Sequence, residues 1–237
     1  MDQRSTVAWP RLEARIAGFL YLLVIILGAF AEIGVRQGLV TAGDPVATAR
    51  AIMTHQDLFR LGFAAEMMTN IIAIPTTLMI YRLLAPAGRF LALLGLALDL
   101  TQNTINAVNA WTQFAPLTLL GDSPDLAAVP HSELVALARL ALKWHDLGFQ
   151  IALTFFGFAL LIEGYLIFRS GYFPSWLGVL YAFAGACYLI NSSAYFLGLP
   201  ISPYILYPCV IGEGALCLWL LVVGVNETKW RAIAGET

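Results

Sequence analysis

The chain contains 237 residues, of which 59% are hydrophobic and 12% are charged, and its formal net charge is −2 at pH 7. Ordinary globular domains carry about 25% charged residues, so the charged side chains here are too few to cover a soluble surface. The composition excludes a secreted disulfide scaffold, a nucleic-acid binder, a disordered regulator and most soluble enzymes. It places most of the chain in a lipid bilayer. The bilayer is therefore an expected partner of the protein.

Six apolar stretches are long enough to cross a bilayer, which takes about 20 helical residues. They cover residues 16–35, 61–81, 90–114, 147–168, 176–197 and 205–223. We therefore predict an all-α, polytopic membrane bundle of six transmembrane helices that forms a single integral membrane domain over residues 1–237.

The two longer loops each predict a short amphipathic helix on the outer membrane face. In the first loop, Asp44 is typical of an N-cap and Pro45 of the first helical position. In the second loop, Ser132 can cap a helix whose apolar residues include Leu134 and Leu142.

The orientation follows from the distribution of basic residues between the two sides. One side carries Arg4, Arg11, Arg15, Arg82, Arg89, Arg169, Lys229 and Arg231, and the other carries Arg36, Arg50, Arg60, Arg139 and Lys143. The excess in the shorter segments predicts that both termini are cytoplasmic, in a bacterial inner (plasma) membrane.

The beginning of the chain leaves one alternative open. Ala29, Phe30 and Ala31 form a small-residue pattern like a signal-peptidase site after an apolar run. Glu13 and the length of the apolar run favour an uncleaved first span. Cleavage would leave five spans and an external N-terminus.

The third span carries an amide-rich stripe. Asp99, Gln102, Asn103, Asn106, Asn109 and Gln113 fall within an arc of roughly 120° at the helical step of about 100° per residue. Polar groups that face lipid would be unfavourable, so the stripe faces the bundle interior. Amides can bond neighbouring helices together, but six polar groups opposite several carboxylates favour a wet cavity.

Ionisable groups within spans mark function or buried pairing. Glu32 and Arg36 are spaced i,i+4, as in a pair on one helix face. Together with polar groups of the outer half of the bundle, they define the candidate ligand-binding site: Glu32, Arg36, Arg60, Glu66, Asn70, Asn106, Asn109, Gln113, His145, Asp146, Gln150, Asn191 and Glu213.

Within this set, Glu66 and Glu213 are expected to face one another or a shared cavity, with Asn106 between them. Each lies well inside its span and away from any basic residue of that span, so each is expected to point away from lipid. Glu163, by contrast, lies near the inner end of the fourth span and close to Arg169, and is interpreted as part of an interfacial ion pair or as a snorkelling group.

No cofactor or metal is expected. Haem held by two histidines needs both of them within spans, and only His145 lies near one. His145 with scattered carboxylates is a weak zinc or manganese pattern, and an interfacial histidine is the favoured interpretation. The three cysteines, Cys187, Cys209 and Cys217, lie in apolar runs, and their odd number argues against disulfides and thiolate metal sites.

Residues 18–21, Gly-Phe-Leu-Tyr, are similar in sequence to residues 178–181, Gly-Val-Leu-Tyr. Four residues do not establish a repeat.

Over roughly residues 11–226, the sequence resembles the bacterial multi-pass membrane proteins grouped as "domain of unknown function 4386". The resemblance lies in Arg15-Ile16-Ala17-Gly18, Glu32 with Arg36, Phe59-Arg60-Leu61-Gly62, His145 with Gly148, the run from Gly164-Tyr165 to Pro174, and Gly212-Glu213 with Leu218-Trp219-Leu220-Leu221. It implies the membrane fold and no particular activity, and it includes five residues of the candidate site.

Three classes of function remain open. The first is binding or carrying a small polar or cationic ligand, with or without protons, in an outward-facing polar cavity, because unpaired carboxylates recruit cations or protons. The second is a non-catalytic subunit of a membrane complex, in which the chain forms homo- or hetero-oligomers. The third is a membrane-embedded enzyme at the outer leaflet, with Glu66 or Glu213 as general base.

Overall fold

The computed structural model describes residues 9–121, 124–200 and 203–235, and every regular element in these ranges is helical. The helices are α1 (Pro10–Leu39), α2 (Pro45–Thr54), α3 (Gln56–Leu84), α4 (Arg89–Leu120), α5 (His131–Arg169), α6 (Ser175–Phe196), α7 (Tyr207–Val222) and α8 (Glu227–Ala234). The predicted all-α bundle is confirmed. Arg4, which enters the charge distribution above, lies outside the described residues.

Five described helical segments are long and apolar enough to cross a membrane: Pro10–Leu39, Gln56–Ala87, His131–Arg169, Ser175–Phe196 and Tyr204–Val222. Helix α4 has 32 residues, long enough for a sixth crossing, but its polar stripe lowers its hydropathy. Many large apolar side chains are exposed, among them Phe90, Val108, Phe183 and Val210. Such surfaces are expected where lipid replaces water, and the chain is a multi-pass integral membrane protein.

The loop predictions are confirmed for the first loop and corrected for the second. Asp44 caps α2 by accepting a hydrogen bond from the backbone N–H of Ala47 at 2.8 Å, and Pro45 is the first helical residue. The second predicted amphipathic helix is not separate. It forms the first turns of the 39-residue α5, which begins at His131. No helix-breaking residue separates its apolar face from the fourth span, so the helix continues.

Helix α1 contains a π-helical segment, Phe30–Arg36, between its α-helical start and its last turn. A π-turn accommodates an extra residue and is frequent at functional sites. Both Glu32 and Arg36 lie within this segment, so the local backbone sets their relative position.

The chain divides into two compact units. The first unit comprises residues 1–22, 72–103 and 150–237, and the second comprises residues 23–71 and 104–149. Each of the helices α1, α3, α4 and α5 contributes one segment to each unit. The expectation of a single membrane domain stays a prediction.

In the first unit, α5 and α6 approach closely at glycines. A methyl group added at Gly185 would lie 2.6 Å from the carbonyl oxygen of Gly157, and one added at Gly164 would lie 2.7 Å from that of Gly178. Small residues at such positions allow membrane helices to pack backbone against backbone. This contact fixes α6, which carries Tyr181 and Tyr188.

The end of α3 is held in the same unit by two hydrogen bonds to one carbonyl. The Leu83 oxygen accepts from the Tyr172 hydroxyl at 2.8 Å and from the Trp230 indole N–H at 3.0 Å. Trp230 is fully buried, although it belongs to the short polar helix α8. The contact anchors α8 to the bundle.

The second unit has its own apolar core. Its buried members are Val35, Leu39, Ile52, Phe59, Leu117 and Leu142. The core therefore includes residues from α1, α2, α3, α4 and α5, and it positions the π-helical segment of α1 against the first turns of α5.

Candidate functional site

Arg36 lies at the centre of a charged cluster in the second unit. Its Nε and Nη2 donate to the two carboxylate oxygens of Glu32, each at 2.6 Å, and its Nη1 donates to Oδ1 of Asp146 at 2.5 Å. The predicted Glu32–Arg36 pair is confirmed. The structure adds Asp146, so that one guanidinium serves two carboxylates.

The geometry of the cluster follows from the two helices that carry it. Glu32 and Arg36 share the π-helical segment, and Asp146 comes from α5, which crosses the same core. The planar fork of arginine allows the bidentate contact with Glu32 and leaves a further N–H for Asp146. Gln37 also donates to Glu32, at 3.0 Å.

Glu66 on α3 stands beside this cluster, and the charges of Arg36 and Glu32 act on it electrostatically. Within the described residues, its buried Oε2 receives no hydrogen bond. The cluster therefore brings three carboxyl groups close to one guanidinium.

His145 and Asn109 have a packing role. The amide of Asn109 donates to the backbone oxygen of His145 at 2.8 Å and lies 3.3 Å from the ring Nδ1. Gly148 leaves the space that this amide occupies, because any side chain there would meet it. The contact joins α4 to α5, as expected for amides between membrane helices.

The remaining candidate residues of the second unit differ in their surroundings. Gln113 and Asn70 are buried, and no described acceptor reaches Nε2 of Gln113. Asn106 is half-buried. Arg60 is exposed, and its guanidinium lies over the ring of Phe114, 5.7 Å from the ring centroid.

In the first unit, the amides of Gln150 and Asn191 form a contact between α5 and α6. Oε1 of Gln150 accepts from Nδ2 of Asn191 at 3.0 Å and from Oγ of Ser192 at 3.1 Å. These groups satisfy one another, as packing residues do.

Glu213 also belongs to the first unit, where it accepts hydrogen bonds from two tyrosines. The Tyr21 hydroxyl donates to its Oε2 at 2.8 Å, and the Tyr188 hydroxyl donates to its Oε1 at 2.5 Å. Glu66 lies in the second unit. The shared cavity of Glu66 and Glu213, with Asn106 between them, stays a prediction.

The interpretation of Glu163 as an interfacial group is wrong. Its side chain is buried beside Asp99 and Tyr181, whereas Arg169 donates to the Tyr165 hydroxyl at 3.3 Å. Gly95 creates the necessary space, since a methyl group there would lie 3.3 Å from Cγ of Glu163. The error arises because the sequence does not show how α5 is rotated about its axis, and this rotation places Glu163 on the face that packs against α4.

The sequence of residues 16–224 matches the family described as "Domain of unknown function (DUF4386)". The chain belongs to this family. No curated protein and no solved structure gives a significant match. The family assignment confirms the predicted resemblance. The matched segment contains both the Arg36 cluster and the residues that contact Glu213.

For this DUF4386 protein, sequence reasoning missed the tyrosines. Tyr21, Tyr181 and Tyr188 lie in apolar spans, where the hydropathy pattern does not distinguish a tyrosine hydroxyl from the surrounding apolar side chains. The Gly-x-Leu-Tyr parallel was the available signal, since the hydroxyls of Tyr21 and Tyr181 lie 3.3 Å apart. Among the described residues, no group of three or more His, Cys, Asp or Glu side chains is arranged to hold a metal ion.

Proposed function

We propose that this protein binds and carries a small organic cation at a site formed by Glu32, Arg36, Glu66 and Asp146. The observation that supports the proposal most is the surplus of carboxyl groups over the Arg36 guanidinium. Arg36 is engaged by Glu32 and Asp146, while Glu66 keeps a buried oxygen without a donor. A carboxyl group in such a place either holds a proton or recruits a cation.

Aromatic rings near Glu66 favour an ammonium group as the ligand. Phe63 lies one helical turn before Glu66 on α3, and its ring centroid is 4.9 Å from that of Phe114. Aromatic faces attract ammonium groups, and a nearby carboxylate supplies the opposite charge. Because the Arg60 guanidinium already lies over the Phe114 ring, the ammonium group is assigned to the ring of Phe63. The proposed ligand is therefore a small alkylammonium ion rather than an anion.

The proposed site faces outward in the orientation that the basic residues favour, with both termini in the cytoplasm and the protein in a bacterial inner membrane. The second unit contains α2 and the first turns of α5, the two segments predicted for the outer face. The lipid bilayer is the proposed environment, and oligomers with copies of itself or with other chains remain compatible with the site.

Binding is tested by calorimetric titration of the protein in lipid nanodiscs with methylammonium, tetramethylammonium and the uncharged analogue tert-butanol. We expect saturable binding of at least one cation, no binding of tert-butanol, and loss of binding in Glu66→Gln. Glu133→Gln is the matched control, because Glu133 is an exposed carboxylate of the same unit.

Two results would contradict the proposal. The first is the absence of cation binding in the wild-type protein, which would favour the non-catalytic subunit instead. The second is binding that Glu66→Gln leaves unchanged, which would place any cation site elsewhere in the chain.

A further inference from the structure

A continuous row of hydroxyl and carboxyl groups runs through the first unit. It begins at Thr77 on α3, whose hydroxyl donates to Oδ2 of Asp99 at 2.5 Å. It continues with the carboxyl of Glu163, which lies beside both Asp99 and Tyr181. It ends in the Tyr181, Tyr21, Glu213 and Tyr188 contacts.

The Asp99–Glu163 pair is the most deeply buried part of this row. Asp99 is 8% exposed and Glu163 is 3% exposed. Within the described part of the chain, no donor reaches Oδ1 of Asp99 or Oε2 of Glu163. Two adjacent carboxyl groups with unpartnered buried oxygens cannot both be ionised, because like charges at such depth repel strongly. The pair therefore holds at least one proton.

The directions of the hydrogen bonds around Tyr181 indicate which carboxyl of the Asp99–Glu163 pair holds the proton. Tyr21 directs its only hydroxyl proton to Glu213, so Tyr181 is the donor at the contact between the two tyrosines. The proton of Tyr181 is then already used. The proton of the Asp99–Glu163 pair is therefore placed on Glu163, the carboxyl that lies beside Tyr181.

The opposite end of the row is built to accept a proton. Glu213 receives two hydroxyl donors, as an ionised carboxylate does, and it is less deeply buried than the Asp99–Glu163 pair. The groups acting on the three carboxyls in the described structure are Thr77, Tyr21, Tyr181, Tyr188 and the carboxyls themselves. None of these groups is basic, and the thiols of Cys209 and Cys217 also lie near Glu213.

We infer that this row is a proton relay, in which Glu163 and Glu213 exchange one proton through Tyr181 and Tyr21. In the transfer, Glu163 gives its proton to Tyr181, Tyr181 gives its own to Tyr21, and Tyr21 gives its own to Glu213. The pair loses one proton, Glu213 gains one, and both tyrosines stay neutral. The ligand of this site is the proton, and the inference uses residues of the first unit without depending on the cation site.

Infrared spectroscopy of the protein in lipid nanodiscs tests the relay. We expect a carbonyl band from a buried protonated carboxyl at neutral pH, which Glu163→Gln and Asp99→Asn each remove or shift. Glu227→Gln should leave the band unchanged, because Glu227 lies on α8 and pairs with Arg231.

Transfer into D₂O measures the exchange of the buried proton. Tyr181→Phe and Tyr21→Phe keep the ring and remove the hydroxyl link, so each should slow exchange of the band by about tenfold. Tyr165→Phe is the matched control, because its exposed hydroxyl contacts Arg169 outside the row. The test uses Tyr181→Phe and Tyr21→Phe separately, so it can still be made if one of the two variants does not fold.

The inference is overturned by a wild-type spectrum that lacks a protonated buried carboxyl. It is equally overturned if Tyr181→Phe and Tyr21→Phe leave the exchange rate unchanged or raise it, because the loss of a merely structural hydrogen bond loosens the packing and does not slow exchange.

Discussion

Arg36 combines local and long-range contacts in one side chain. The pair with Glu32 depends on one helical turn, whereas the contact with Asp146 depends on how α1 and α5 pack. Removal of one partner of a desolvated ion pair leaves the other charge uncompensated, which is more unfavourable than the loss of an exposed pair. Without Arg36, two carboxylates lose their partner, Glu32 at 34% and Asp146 at 37% exposure.

We therefore expect Arg36→Gln to lower the free energy of unfolding by about 3 kcal/mol, the low end for buried pairs because Glu32 is 34% exposed. Arg231→Gln, which removes the i,i+4 partner of Glu227 on α8, should cost less than about 1 kcal/mol. Unfolding in mixed micelles measures both. Equal, small losses would show that the Arg36 cluster is solvated.

Gly148 and Asn109 form a second residue-scale test. A methyl group at position 148 would occupy the place of the Asn109 amide and break its hydrogen bond to the His145 carbonyl. We expect Gly148→Ala to destabilise the protein by about 1–3 kcal/mol, as overpacking does. The double variant Gly148→Ala, Asn109→Ala removes the clash. Its loss of unfolding free energy should therefore be smaller than the sum of the losses in the two single variants. Additive losses would contradict this account.

At the scale of elements, α5 and α6 are joined by two glycine contacts seven residues apart on each helix. Gly157 meets Gly185, and Gly164 meets Gly178, with separations that leave no room for a side chain. Lipid offers no hydrophobic driving force between helices, so close packing has to supply the attraction. The contact also sets the rotation of α6 and thereby the position of its tyrosine hydroxyls.

Gly185→Ala should therefore separate α5 from α6 and cost about 1–3 kcal/mol of unfolding free energy. Gly214→Ala is the matched control on α7, because no atom lies within 4 Å of its added methyl group. Alanine there should be neutral or stabilise the helix by up to about 1 kcal/mol. Thermal unfolding in detergent distinguishes the two variants, and equal behaviour would show that the glycine contact is not tight.

At the scale of the whole molecule, the exposed apolar side chains and the distribution of basic residues lead to one expectation about topology. The three cysteines are buried, so added cysteines can be labelled against a low background. Thr41 and Glu133 lie in or next to the segments predicted for the outer face, and Ser175, the first residue of α6, follows a loop that the basic residues predict to be cytoplasmic.

A membrane-impermeant thiol reagent applied to intact cells should label Thr41→Cys and Glu133→Cys but not Ser175→Cys. Permeabilised cells provide the control, in which all three variants should be labelled. Labelling of Ser175→Cys from outside, with protection of Thr41→Cys, would reverse the orientation and place the proposed cation site on the cytoplasmic side.

Features that depend on short stretches of chain were determined by the sequence itself. In lipid, each span must satisfy its own backbone hydrogen bonds, so apolar length alone predicted helices at all six positions. The Asp44 cap and the Glu32–Arg36 pair rest on neighbours within one turn. The burial of Asp99 and Gln113 followed from the polar stripe, because its members share one side of α4.

Only the tertiary structure decided which groups from different helices meet. The contacts of Asp146 with Arg36, of Glu163 with Asp99 and of Tyr21 with Tyr181 depend on how far each helix is rotated about its axis. That rotation is set by packing at several positions at once, such as the glycines of α5 and α6. Hydropathy reports how long and how apolar a span is, and it carries no information about the neighbour that each face of the span will meet.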